Sequence, residues 1–133
     1  MPERNERMAG HVLVCVTGQK TCERLILEGA RIAEAEDALL SVLHVAKPGT
    51  IPLGSQKEGE ALEYLFRVAS EHDADMVMIR SDDVTETIAK QVEKLKVNTL
   101  VMGRTTGVKG KNVSAAMAVR VPNVKIQLVY EEN

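Results

Sequence analysis

Residues 97–129 read VNTLVMGRTTGVKGKNVSAAMAVRVPNVKIQLV, and this stretch decides the fold. A short apolar run, Thr99 to Met102, stops at Gly103. The polar segment from Arg104 to Asn112 follows, rich in glycine, threonine and base, then an apolar segment able to form a helix, then a second apolar run from Val124 to Val129. The pattern predicts strand, loop, helix, strand. A glycine-rich loop between a strand end and a helix start leaves backbone N–H groups free at the positive end of the helix, where an anion is favoured. Charge points the same way. From Lys94 to Tyr130 there are seven Lys or Arg and no Asp or Glu, while the whole chain carries −2, so the remaining residues sum to −9. The basic character is concentrated in one place, and a phosphate is the group it suits. Arg104, Lys109, Lys111, Asn112 and Ser114 offer side-chain donors there, and Gly103 and Gly107 offer main-chain amides.

Upstream, the same alternation repeats. His11 to Val16 (HVLVCV) is a continuous apolar run ending at Thr17 and Gly18, as a central parallel strand would. A helix is expected from Thr21, which can cap it, with Glu23 facing the dipole of the first turn and Cys22, Leu25, Ile26, Gly29, Ala30 and Ala33 forming the apolar stripe. Leu39 to Val45 is the second strand. The irregular stretch Ala46 to Gln56, with Pro48, Gly49, Pro52 and Gly54, reads as a lid over the strand ends or as a plain surface loop. Lys57 to His72 is the second helix, on a stripe of Ala61, Leu62, Leu65, Val68 and Ala69. Asp75 to Ile79 is the third strand. Ser81, Asp82 and Asp83 offer a cap to a third helix with the stripe Val84, Ile88, Val92 and Leu95, and Met76, Met78, Met102 and Met117 read as core filler.

Five strands alternating with four helices imply an α/β fold, a doubly wound parallel sheet covered on both faces. In the order 3-2-1-4-5, strands one and four are neighbours where the winding reverses, and ligands lie beyond the carboxyl ends of the strands at that point. The loops brought together are Thr17 to Lys20, with Gly18 and Gln19, and Arg104 to Asn112. Residues 1–10 are expected to be frayed and 11–130 to form a single domain. Val124 to Tyr130 alternates Val124, Ile126 and Leu128 with Lys125, Gln127 and Val129, as a half-covered edge strand would, and an unpaired edge invites a second copy.

Composition narrows the function. A chain of 133 residues, 44% hydrophobic, is one domain with a real core. No run has the apolar length needed to span a bilayer, and the mixed-charge start, Pro2 to Arg7, lacks the apolar core of a signal peptide, so membrane insertion is not expected and the default setting is the cytoplasm. Cys15 and Cys22, with six residues between them in the chain, match no zinc or redox motif and read as reduced thiols. Three aromatic residues, Tyr64, Phe66 and Tyr130, are too few for a base-stacking platform, which argues against nucleic acid as partner. His11, His44 and His72 are too scattered for a metal site; His44 alone falls near the crevice.

The element order, the opening HVLVCVTG with a following ERLILEGARIAEA, and the segment VNTLVMGRTTG resemble the universal stress protein family, and within it most closely the version carried by the potassium sensor kinase KdpD. The resemblance covers about His11 to Val129. It implies a cytoplasmic α/β domain of the adenine nucleotide alpha hydrolase-like type that dimerises, often through the last strand, and that in many members binds ATP or another adenine nucleotide; AMP and cyclic di-AMP are the other ligands it suggests. Gly103 fits the first glycine of the family's phosphate motif, while the second falls on Thr106, with Gly107 one residue late, and the closing Gly-Ser pair is absent. Thr17 stands where nucleotide-binding members place an Asp. The chain is either a stand-alone relative or one module of a longer protein.

The preferred function is a cytoplasmic sensor or signalling module that binds an adenine-type nucleotide, or another phosphate-bearing ligand, in the crevice between strands one and four. Phosphoryl transfer would need a metal-holding carboxylate or an activated nucleophile beside the phosphate loop, and the crevice loops contain no acid. No catalytic or metal-binding residue is therefore assigned. The alternatives are a slow ATP hydrolase and a degenerate, ligand-free dimerisation module.

Overall fold

The structure, a computed structural model, describes residues 10–16, 22–46, 56–104 and 113–130. The strands are β1 (His11–Val16), β2 (Leu39–Ala46), β3 (Asp75–Arg80), β4 (Thr99–Arg104) and β5 (Lys125–Tyr130). The helices are α1 (Cys22–Glu36), α2 (Gln56–Glu71), α3 (Val84–Leu95) and α4 (Val113–Arg120). All strand pairs are parallel, in the order β3-β2-β1-β4-β5. The alternation read from the sequence thus produces the expected doubly wound sheet. β1, flanked on both sides, is the apolar run HVLVCV, while the two edges carry charge at their ends: Asp75 and Arg80 on β3, Lys125 on β5.

The period of two along each strand sorts the core into two layers. Val12, Val14 and Val16 face a cluster with Leu40, Val42, Val101, Leu25, Ile26 and Ala33 of α1 and Leu65, Val68 and Ala69 of α2. Leu13 faces the other way, onto Leu43, Leu100, Met102, Ile88 and Val92 of α3 and Met117 of α4. Of the predicted stripes, Leu25, Ile26, Gly29, Ala33, Leu65, Val68, Ala69, Ile88 and Val92 are buried, with Ile32 and Ala89 added, and Ala30, Val84 and Leu95 are half-buried; the side chains of Cys22, Ala61 and Leu62 lie outside the described ones. Met102 and Met117 fill the core as expected, but Met78, on the edge strand β3, is 36% exposed and fills nothing. Val124, Ile126 and Leu128 point into the second layer and Val129 into the first, which is the alternation expected of β5.

Local chemistry fixes the ends of the elements. Asp83 caps α3, its carboxylate accepting the Glu86 N–H at 3.0 Å. The Thr21 cap foreseen for α1 lies outside the described residues. At the amino end of the sheet, Asn98 donates its N–H to the His11 carbonyl at 2.9 Å and accepts the His11 N–H on Oδ1 at 2.9 Å, joining β1 to the start of β4. Beside this junction, Ser41 and His11 Nε2 share a hydrogen bond of 2.8 Å across β1 and β2. No helix among the described residues is long and apolar enough to cross a membrane.

Candidate functional site

Strand order places the site. β1 and β4 are adjacent, paired from Val12 with Thr99 to Cys15 with Met102, and their carboxyl ends are where the winding reverses. The chain leaves β1 after Val16 toward α1 and leaves β4 after Arg104 toward α4, which packs on the opposite layer. The switch point foreseen from the sequence is therefore present, and Gly103 lies at it, beside Val129 of β5; the loops expected to line the crevice fall almost wholly outside the described residues. Gly103 is exposed, and a Cβ added to it would point toward Leu25 of α1, 3.5 Å from Cδ1. Arg104 and Ser114 have their backbones in β4 and α4 respectively. Thr17, Gly18, Gln19, Thr106, Gly107, Lys109, Lys111 and Asn112 lie outside the described residues.

Two helices begin beside the crevice with different charge. The first turn of α4 contains no acid, whereas the first turn of α1 contains Glu23. Glu23 is held from the side: the Tyr64 hydroxyl on α2 donates to its Oε1 at 2.9 Å. That bond joins elements 41 residues apart in the chain, and no local pattern announces it. A carboxylate at the start of α1 offsets the helix dipole and disfavours an anion there, while α4 keeps its positive end uncompensated by any acid of its own.

His44 forms the third part of the site. It is buried, at 7% exposure, near the carboxyl end of β2 and in register with Val16, and its Nδ1 donates to the Val16 carbonyl at 3.2 Å. The sequence singled it out only by its place at the end of a strand. Cys15 is half-buried on β1 against the second core layer, and desolvation pushes its thiol up to about 12, so it is neither thiolate nor nucleophile at neutral pH. Two carboxylates that follow β3 are engaged elsewhere: Asp83 caps α3, and Glu86 pairs with Arg120 at 3.2 Å, tying α3 to α4, while Asp82 beside them is exposed. Among the described residues no group of three or more His, Cys, Asp or Glu could hold a metal ion.

Comparison with known proteins follows the same lines. A universal stress protein solved in complex with cAMP is 17% identical and superposes with a TM-score of 0.71, over 92% of this chain and 98% of that one. A universal stress protein from Archaeoglobus fulgidus in complex with dAMP is 14% identical, with a TM-score of 0.67 over 91% and 98% of the two chains. A protein of the universal stress protein family from Burkholderia pseudomallei is 16% identical, with a TM-score of 0.65 over 92% and 97%. At such identities the likeness is one of fold. No curated protein sequence matches the chain significantly. The sequence profile of the universal stress protein family, however, matches residues 8–117, from three residues ahead of β1 into α4. By fold and by sequence profile together, the chain belongs to the universal stress protein family.

Proposed function

We propose that the protein binds an adenine-type nucleotide, phosphate toward the β4–α4 side of the crevice, and acts as a sensor or signalling module rather than an enzyme. The observation that carries this reading is Gly103. It lies at the point where β1 and β4 diverge, open to solvent, with room for a side chain that the sequence does not supply. Bare backbone at the carboxyl end of a central strand suits close approach by a phosphate. Further support comes from the basic segment that follows it and from the family relatives solved with cAMP and dAMP. Turnover is disfavoured because the crevice loops contain no acid and two of the acids near the strand ends already have structural tasks: Asp83 caps a helix and Glu23 accepts from Tyr64.

A cytoplasmic setting, a kinship with the sensor kinase KdpD and a homodimer joined through the Val124–Tyr130 edge complete the proposal. β5 is an edge of the sheet, paired only with β4, and its charge is limited to Lys125, whereas β3 at the other edge is bounded by Asp75 and Arg80. Of the two edges, β5 is the less defended against strand addition. The second reading, a dimerisation module without ligand, draws on Thr17 in place of an acid and on the missing Gly-Ser pair.

Calorimetric titration of the purified protein with ATP, AMP and cyclic di-AMP tests the nucleotide reading, beside an Arg104→Ala, Lys111→Ala variant. Binding that is lost in the variant supports it and names the ligand class. Absence of binding by all three to folded protein sinks it and leaves the dimer module. Sedimentation at varied concentration tests the dimer independently.

A further inference from the structure

His44 is a buried polar side chain on an otherwise apolar strand face. Its neighbours on the same face of β2, Leu40 and Val42, pack against α1 and α2. Burying an imidazole among them carries a desolvation cost unless its nitrogens are used. One nitrogen is used in the structure: Nδ1 meets the Val16 carbonyl at 3.2 Å. A carbonyl oxygen can only accept, so the hydrogen is on Nδ1, and in the neutral ring Nε2 carries a lone pair. Among the described residues Nε2 has no hydrogen-bond partner, and none of their buried side-chain nitrogens or oxygens is left without one, so Nε2 reaches solvent.

We infer that His44 supplies a hydrogen-bond acceptor to the ligand through Nε2, taking an N–H or O–H from the base or sugar while the phosphate lies near Gly103. This rests on the nucleotide reading above and adds to it one side chain that reads the ligand. His44 is on β2, Val16 on β1 and Gly103 on β4, three consecutive strands, with the first and last two strand spacings apart, about 10 Å. Gly103 faces the α1 side of the sheet, as His44 does. A nucleotide laid across the end of β1, phosphate over β4 and sugar or base over β2, brings a donor to Nε2. The Val16 carbonyl makes the acceptor dependable, because it holds the ring in a single tautomer.

Two variants and two probes separate this role from a structural one. Asn at position 44 keeps an amide N–H where Nδ1 was, so the bond to Val16 survives, but it has no atom in the place of Nε2. In the His44→Asn variant, AMP affinity is expected to fall about tenfold, the loss of one well-placed hydrogen bond, with thermal stability and the affinity for inorganic pyrophosphate unchanged. His44→Leu, which removes both nitrogens, should also lower stability. Equal AMP affinity in wild type and His44→Asn overturns the inference, and so does an equal loss for AMP and pyrophosphate, which would mean that the residue acts through the shape of the crevice. Wild-type protein that binds no AMP would fail the nucleotide reading itself and this inference with it. The nitrogen chemical shifts of His44 in the ligand-free protein decide independently of any ligand: the hydrogen is expected on Nδ1, and finding it on Nε2 overturns the acceptor role.

Discussion

Two glycines lie against α1, and they differ in what their neighbours demand. Gly29, on the helix, is buried where α1 crosses β1 and β2, and a Cβ there would fall inside the van der Waals shell of Val14 Cγ2 and come within 3.2 Å of Leu40 Cδ1. Gly103, on β4 at the carboxyl end, is exposed, and its added Cβ would stop at ordinary contact distance from Leu25. Neither backbone is left-handed, so conformation demands glycine at neither place. Packing requires the first glycine. Nothing within the described fold requires the second, and the region around it is where a requirement from outside the fold, a ligand, has room to act.

The largest expected effect is therefore at Gly29. Alanine in the middle of a helix gains about 1 kcal/mol of propensity. Forcing a methyl into a filled contact costs about 1–3 kcal/mol, and β-branched Val14 cannot swing aside without leaving its rotamer. Gly29→Ala is expected to lower stability by up to about 2 kcal/mol in urea denaturation. Adding Val14→Ala should restore part of the loss, so that the double variant is more stable than the sum of the two single changes predicts. A Gly29→Ala protein as stable as wild type would erase the contrast.

The amino end of the sheet sharpens it from another side. Three helices leave by the same route, each through a non-glycine residue with positive φ: Asp37 at 55°, Asp73 at 58° and Lys96 at 57°. Each is followed by a residue whose N–H reaches back to a helical carbonyl, Ala38 to Ala33 at 2.8 Å, Ala74 to Ala69 at 2.9 Å and Val97 to Val92 at 3.0 Å. These are left-handed helix exits without the usual glycine. Lys96→Gly should relieve the clash of Cβ with the backbone and raise stability by about 0.5–1 kcal/mol, read as an increase in the denaturation midpoint. Asp37→Gly should gain less, because Asp tolerates that conformation better. An unchanged midpoint for Lys96→Gly would mean that the exit carries no strain.

How much of this was legible in the sequence depends on the distance over which each feature acts. HVLVCV declares a central strand because both its faces are apolar, and the alternation from Val124 to Leu128 declares an edge strand because one face is less covered. Asp83 is readable as a cap because it acts three residues away. The placement of Gly103 at the switch point follows from strand order, itself a consequence of strict alternation. The long-range pairs near the candidate site are another matter: His44 with Val16 spans 28 residues and Tyr64 with Glu23 spans 41, and both depend on how layers meet. The helix exits were hidden because no glycine marks them, and Met78 was misread because edge exposure is set by the sheet, not by the run DMVMI.

A smaller effect is expected from protonation at the amino end. Burial lowers the pKa of His11 below 6.5, against the opposing pull of the Asp75 carboxylate and a hydrogen bond to the Leu95 backbone. The neutral ring is thus favoured in the folded protein. Its contribution to stability is full above the unfolded value of 6.5, declines as pH falls below it because the unfolded chain takes up the proton first, and levels off below the folded value. His11→Gln should flatten this part of the pH–stability curve. Parallel curves for the two proteins between about pH 7.5 and 5.5 would show that His11 is hydrated like an ordinary surface histidine.

The smallest stability effect, and the most telling, is expected at Gly103. Its added Cβ finds 3.5 Å to Leu25 Cδ1 and 3.7 Å to Cδ2, ordinary contact at a position whose φ is not left-handed. Strand interiors also prefer alanine to glycine for reasons of chain entropy. Gly103→Ala should therefore leave stability within about 0.5 kcal/mol of wild type. Nucleotide affinity should nevertheless fall, because a methyl group on the exposed strand end stands where a phosphate would approach the backbone. A variant that loses stability as Gly29→Ala does would show that the fold itself demands this glycine, and the contrast between the two regions would disappear. A variant with both stability and AMP affinity intact would leave the bare backbone without a task and move the phosphate away from the end of β4. Loss of AMP affinity at constant stability is the one result that requires a ligand at the crevice.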